Sequence, residues 1–221
     1  MNNLHQYIPL LSKVRLFNGI DEDTLEDLSQ KWSYILRKYQ KGEIIMAEQS
    51  DMEYIGILLG GNAYGYRSTE EGKNVILARM TQGAVFADIL AGAPMRKSPI
   101  AIRAESECKV LFIHYDSYIQ SCIGNTHIGT RLIMNYVESV SSRYFELHDR
   151  VRCLIMPSLR AKIMSCLQSY CPSRGKPFAI PFDRSSMAEY INADRSALSR
   201  ELAKMKSEGI IDYRKNIFKL T

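Results

Sequence analysis

The feature that most constrains this chain is a spacing. Within residues 125–155, Ile133, Val137, Val140, Tyr144, Leu147, Val151 and Leu154 follow one another at intervals of 4, 3, 4, 3, 4 and 3. That alternation keeps one apolar seam on a single side of a slightly underwound helix. The stretch has no Pro, and no Gly after Gly129, so nothing breaks a helix of roughly 40 Å. Asn135, Glu138, Ser139, Ser142, Arg143, Glu146, Asp149 and Arg150 fall off the seam. An amphipathic stripe usually packs on its own domain. About three strict heptads instead favour a parallel pair of helices from two chains. The seven seam residues are the expected dimer interface.

The chain differs on the two sides of this helix. Residues 1–32 read as short helices, with Gly19-Ile20-Asp21 a turn and Asp21, Glu22 and Asp23 an acidic helix start. From 34 to 113 the texture changes to short strands at 33–39, 44–47, 53–59, 62–67, 74–80, 84–86, 100–104 and 108–114. Turns at Lys41-Gly42, Gly60-Gly61, Gly72-Lys73 and Gln82-Gly83 punctuate them. About eight such strands predict a small sandwich or jelly-roll barrel, filled by its own side chains or by a ligand. A short helix at 116–123 leads into the seam helix. Pro157 ends that helix, since proline disfavours helix at the residue before it. The expected division is 1–124, 125–156 and 157–221.

Charge separates the parts again. Residues 156–221 carry twelve Lys and Arg against six Asp and Glu, whereas the remainder is close to neutral. A basic balance confined to a small C-terminal domain is the footprint of a nucleic-acid binder. No apolar run approaches the roughly 20 residues of a membrane span. The N-terminus lacks a signal-peptide layout, and a cytoplasmic protein is expected. Cys108, Cys122, Cys153, Cys166 and Cys171 form no CxxC and have no His at zinc-finger spacing. Reduced, buried thiols are expected, without metal or cluster.

Inside the basic segment, residues 159–170 read as a helix and 178–182 as a short extended piece. Asp183 can cap a helix that turns Met187, Tyr190 and Ile191 inward. Asn192-Ala193 makes a turn, because Asn tolerates the left-handed conformation. Asp194 caps a second helix with Leu198, Leu202 and Met205 inward and Ser196, Ser199, Arg200 and Ala203 on the opposite stripe. Helix, short turn, helix places a second helix in the DNA major groove, where an Arg can fork onto guanine. Residues 210–220 then form a hairpin turning at Lys215-Asn216, a wing with basic residues for phosphate.

The run Asp194-Arg195-Ser196-Ala197-Leu198-Ser199-Arg200-Glu201-Leu202, followed by Glu208-Gly209-Ile210-Ile211, resembles the winged helix-turn-helix of the Crp–Fnr family of bacterial transcription regulators. The resemblance covers nearly the whole chain: a glycine-punctuated β-roll, a long dimer helix and a DNA-binding domain follow in that family's order. It implies an α+β fold, with a jelly-roll (double-stranded β-helix) N-terminal domain, a dimerisation helix and a winged helix-turn-helix. It also implies a homodimer on a palindromic DNA operator, with RNA polymerase as a partner and a small-molecule effector in the roll. Ser196, Ser199 and Arg200 match the family's base-reading positions, with Arg184, Arg195, Lys204 and Lys215 as further DNA contacts. Ser196 stands where well-known members carry a Glu, so a Glu-to-cytosine contact is lost.

The roll departs from the cyclic-AMP pattern of Gly-Glu and Arg-Ser. The matching stretches read Ala87-Asp88 and Arg96-Lys97-Ser98-Pro99. Asp88, Arg96, Lys97, Ser98 and, on the long helix, Tyr136 are the candidate effector-binding residues. The glycine is lost and Pro99 removes a backbone donor, so an effector other than cyclic AMP is expected. The N-terminal cysteine cluster of oxygen-sensing members is absent, and His5, His114, His127 and His148 make no heme constellation. Two other classes stand further off. One is a ligand-binding regulatory module whose C-terminal domain docks a protein. The other is an enzyme, for which Asp88, Ser98, Glu105, Glu107 and His114 supply no set of roles.

Overall fold

The computed structural model describes residues 4–68, 74–92, 97–123 and 126–221, without the side chains at 75, 89, 90 and 126. After a 3-10 turn, the chain runs α1 (Ile8–Leu11) and α2 (Glu22–Gln30), then β1 (Tyr34–Tyr39), β2 (Ile44–Met46), β3 (Tyr54–Gly60), β4 (Ala63–Ser68), β5 (Asn74–Met80) and β6 (Val85–Phe86). There follow α3 (Asp88–Ala91), β7 (Ala101–Ala104), β8 (Cys108–His114), α4 (Tyr115–Ile123) and the long α5 (Thr126–Leu154). Beyond it come α6 (Leu159–Tyr170), β9 (Phe178–Ala179), α7 (Arg184–Tyr190), α8 (Arg195–Ser207), β10 (Ile211–Arg214) and β11 (Ile217–Leu220). Two compact units result, Met1–Val140 and Ser141–Thr221. The division falls inside α5 rather than at either of its ends.

In the first unit, two antiparallel four-stranded sheets, ordered β1-β8-β3-β6 and β2-β7-β4-β5, make the roll. Alternation along the strands decides what each face covers. Leu58, Val110 and Phe112 of one sheet pack with Ala63, Met80, Ile102 and Ala104 of the other. Their neighbours Ile55, Ile57, Leu59, Leu111 and Ile113 point the other way, into a helical layer of α1, α2 and α4. β3 and β8 are thus covered on both faces, which is why they read as unbroken apolar runs. The chain's single Trp, Trp32, stacks on Phe17 at 5.2 Å in that helical layer.

α5 joins this layer through a face that the seam does not include. Leu132 is fully buried, and the Asn135 amide donates to the carbonyls of Leu16 and Asn18 at 3.1 and 2.9 Å. Ser139 is buried one turn on. The seam looks outward: Ile133, Val137, Leu147 and Val151 are 47–62% exposed and Tyr144 63%. Val140 and Leu154 are half-buried.

The second unit has its own core of Cys153, Ile163, Cys166, Leu167, Met187, Ile191, Leu198, Leu202, Met205 and Phe218. A three-stranded sheet, β10-β11-β9, closes it. The five cysteines are free thiols, and burial pushes that of Cys166 up to about 12, so it stays protonated and unreactive.

Candidate nucleic-acid interface and effector unit

The helix pair α7–α8 is set by its caps. Asp183 accepts the Ser186 N–H at 2.8 Å while the Ser186 hydroxyl accepts the Asp183 N–H at 3.0 Å, a reciprocal box. Just past α7, Asn192 takes φ 51° as the turn requires. Asp194 then opens α8 by accepting the Ala197 N–H at 2.8 Å. That bond, more than the Ser196 hydroxyl and the charge of Arg200, holds the Asp194 carboxyl below its ordinary value. Leu198, Leu202 and Met205 are fully buried.

The opposite stripe is exposed throughout: Arg195, Ser196, Ser199, Arg200, Ala203 and Lys204. The two serine hydroxyls turn back on their own helix. Ser196 donates to Asp194 at 2.8 Å and Ser199 to the Arg195 carbonyl at 2.9 Å. Arg200 and Lys204 are thus the long side chains beyond Arg195 that the stripe offers a groove.

Arg160 on α6 fixes the far side of α8. Its guanidinium donates to Glu201 at 2.6 Å and forks onto Glu208 at 2.6 and 3.0 Å. The carboxylates raise the Arg160 pKa, and the Arg160 hydrogen bond lowers that of Glu208. Glu201 of α8 and Glu208 just past its end are both engaged by Arg160, away from the outer stripe, which stays basic. At the wing tip Lys215 adopts φ 56° and is exposed. Asn216 ties the tip back to Ile180 by two bonds, at 3.0 and 3.2 Å. Arg184, expected to touch DNA, is half-buried with its guanidinium over the rings of Tyr213 and Phe218.

Of the expected effector residues, Asp88 and Tyr136 come together. The Tyr136 hydroxyl donates to the Asp88 carbonyl at 3.0 Å, and Ser139 donates to the Asp88 carboxylate at 3.3 Å. Asp88 is fully buried, so its carboxylate is turned onto α5 rather than offered to an open site. A Cβ at Gly92 would stand 2.8 and 3.1 Å from the hydroxyls of Tyr115 and Tyr136, so any side chain there would have to displace the tyrosines. Ser98 is occupied elsewhere: its hydroxyl donates to the Ile100 carbonyl at 2.6 Å. Lys97 is exposed, and its backbone forms an isolated antiparallel β-bridge with that of Asp51. Arg96 lies outside the described residues, as does Gly72. Ala87 stands at φ 62°, the left-handed conformation that a glycine would take there without strain. Within the roll, the ring of Phe86 lies against Gly56, where any Cβ would strike it, and meets Phe112 edge-on at 6.0 Å.

Residues 36–123 match the family model of the cyclic nucleotide-binding domain, and residues 161–220 that of the Crp-like helix-turn-helix domain. The chain belongs to the Crp–Fnr family. Members of this family are DNA-binding transcription regulators, and this Crp–Fnr chain is one of effector-binding domain plus helix-turn-helix. Among solved structures, FixK2 from Bradyrhizobium japonicum shares 17% identity over 85% of this chain and 92% of that one, with a TM-score of 0.53. CLP from Xanthomonas campestris shares 14% over 90% and 99%, with a TM-score of 0.57. The sensor domain of DNR from Pseudomonas aeruginosa shares 21% over 72% and 100%, with a TM-score of 0.55. These likenesses speak to the fold. No curated protein sequence matches the chain. Among the described residues, no helix of this Crp–Fnr regulator is long and apolar enough to cross a membrane, and no three His, Cys, Asp or Glu gather as metal ligands would.

Several working residues escaped the sequence pattern. Asn135 and Ser139 read as solvated polar positions because nothing local says which side of α5 meets its own unit. Arg160, Glu201 and Glu208 are ordinary surface charges in sequence, and only the fold brings them together.

Proposed function

We propose that this chain is a homodimeric, sequence-specific regulator of transcription whose roll unit senses a small molecule other than cyclic AMP. The observation that carries the dimer is the outward row on α5. Five of its seven apolar side chains are about half exposed or more along one line, which a lone chain would leave to water. Pairing two copies of α5 buries that row as a parallel seam. It also sets two α8 helices on the half-sites of a palindromic operator, about 34 Å apart. A small change in how the seam packs then alters that spacing and switches binding. Arg195, Ser196, Ser199, Arg200 and Lys204 read or touch DNA from the exposed stripe, and Lys215 meets phosphate. A DNA-bound regulator of this kind contacts RNA polymerase to change transcription.

Against cyclic AMP stand Pro99, which lacks a backbone donor, and Asp88, whose carboxylate faces α5. Phe86 also fills space beside Gly56. CLP, whose fold is similar, is a c-di-GMP-responsive global regulator. An apolar, aromatic acid is the ligand class we favour, with Arg96 and Lys97 as the sequence's candidates for its charge. Native mass spectrometry of freshly purified protein is expected to reveal a retained effector as added mass. Calorimetric titration with cyclic AMP is expected to show no binding at micromolar concentration. Saturable cyclic-AMP binding that switches on DNA affinity overturns the effector assignment. A salt-independent or absent DNA interaction instead favours a protein-docking module.

A further inference from the structure

Cations from both helices of the helix-turn-helix converge on one ring of the wing. Arg184, the first residue of α7, places its Cζ 4.7 Å from the centre of the Tyr213 ring and 5.1 Å from that of Phe218. Lys206, in the last turn of α8, places its Nζ 5.1 Å from the same Tyr213 ring. It also donates to the Tyr213 carbonyl at 3.2 Å and pairs with Asp212 at 2.6 Å. Tyr213 and Phe218 stand opposite each other across β10 and β11, their rings 5.5 Å apart. A flat, weakly hydrated guanidinium stacks on aromatic faces readily, and more so where water is partly excluded. Burial lowers the Arg184 pKa, as withdrawal from solvent requires. The hairpin turn that carries Lys215 begins two residues beyond Tyr213, so whatever fixes this ring aims the wing tip.

We propose that Arg184 is a positioning residue: with Lys206 it pins the wing through the Tyr213 ring, and it does not itself neutralise a DNA phosphate. The proposal rests on the DNA-binding reading above. A direct phosphate contact is the competing role, because Arg184 also lines a cleft of about 370 Å3 with Pro181, Phe182, Asp183, Lys215 and Asn216. Both roles lower affinity when Arg184 is replaced, so affinity alone does not separate them. Salt dependence does. A lost phosphate contact reduces the slope of log affinity against log salt by about 0.9 per contact, whereas a mis-set wing retains its counterion release.

The test uses the full chain and a DNA duplex obtained by binding-site selection from a randomised library, titrated at several salt concentrations. Arg184→Met is expected to weaken binding about fivefold, from the strength of a partly desolvated cation–ring contact, with the slope of the wild type. Arg184→Lys, which keeps a cation for the ring, recovers part of that loss. Tyr213→Phe keeps the ring and matches the wild type, while Tyr213→Leu loses as much as Arg184→Met. The double variant is no weaker than the weaker single one, as expected for residues acting through each other. Lys215→Ala serves as the reference whose slope does fall.

The proposal is overturned if Arg184→Met flattens the slope by about one unit per chain. Losses from Arg184→Met and Tyr213→Leu that simply add overturn it as well. Where circular dichroism shows Tyr213→Leu unfolded, the slope of Arg184→Met and the recovery in Arg184→Lys decide alone. Absence of DNA binding by the wild type overturns the DNA reading and this inference with it, an outcome distinct from a slope change in one variant.

Discussion

α5 and α8 are both two-faced helices, yet what they bury and what they expose are opposite in kind. α8 buries Leu198, Leu202 and Met205 and exposes Arg195, Ser196, Ser199, Arg200 and Lys204. α5 buries Asn135 and Ser139 beside Leu132 in its own unit, yet exposes Ile133, Val137, Tyr144, Leu147 and Val151. Polar side chains are rarely buried unless hydrogen-bonded, and the two of α5 are bonded to Leu16, Asn18 and Asp88. An apolar outer face calls for another apolar surface. A face of small hydroxyls and long cations calls for a groove lined with phosphates and base edges. Substitutions on each face can break this contrast or sharpen it.

The largest effect is expected on the outer face of α5. Carboxylates from Val140→Glu and Leu147→Glu together would lie unpaired in the seam, at a cost of several kcal/mol. The double variant is expected to sediment as a monomer by analytical ultracentrifugation and to lose operator affinity. A variant that stays dimeric moves the dimer axis off this row and leaves the exposed stripe without a partner.

On the inner face of α5 the expected effect is smaller and of another type. Asn135→Ala removes two donors, one to the buried carbonyl of Leu16 and one to the part-buried carbonyl of Asn18. About 1–3 kcal/mol of stability is expected to go with them. Trp32 lies in the same core and is the only Trp, so its fluorescence in urea follows the unfolding of this unit specifically. An unchanged midpoint would mean that Leu132 and its neighbours hold the face without the amide.

The outer face of α8 is tested by Arg200→Ala. One base-reading side chain is worth about 1–3 kcal/mol per half-site, and its loss relaxes preference at one base pair. Binding-site selection on a randomised library reads both. A selected motif that does not change places the base-reading elsewhere on the stripe.

How far the sequence revealed these faces depends on whether the signal is local. Caps and turns are local. Asp183, Asp194, Asn192 and the Lys215 turn stand where the residue types require them. The strands at 74–80 and 108–114 and the helix at 159–170 also begin and end where the pattern breaks. The outer face of α5 was legible because its heptad period is carried by the helix itself. Its inner face was not, since Asn135 and Ser139 gain their role only from Leu16, Asn18 and Asp88, distant in the chain. The surroundings of the effector candidates are hidden from the sequence for the same reason. Only the fold brings the Asp88 carboxylate to Ser139. Ala87 takes a left-handed backbone that its residue type does not announce. Arg184 reads in sequence as one more basic residue near DNA, and only the fold brings its guanidinium to the Tyr213 and Phe218 rings.

The smallest effect concerns how the inner side of α8 is held, and pH reveals it. Glu208 is bonded to Arg160, and that hydrogen bond holds its carboxyl below the ordinary value of 4.5. A carboxyl with a depressed folded value favours the folded state above its unfolded value. That contribution fades as pH falls through the folded one. The contacts are largely open to water, so screening keeps the contribution modest. Arg160→Met is therefore expected to melt slightly below the wild type at neutral pH. The gap should narrow once the pH drops below about 4.5, the unfolded range of a Glu carboxyl. Thermal unfolding of the two proteins side by side, at neutral pH and in stepwise acid, makes the comparison. A gap that persists unchanged in acid would assign it to the packing of the Arg160 stem rather than to its charge. α8 would then be held, on its inner side, by apolar contact alone.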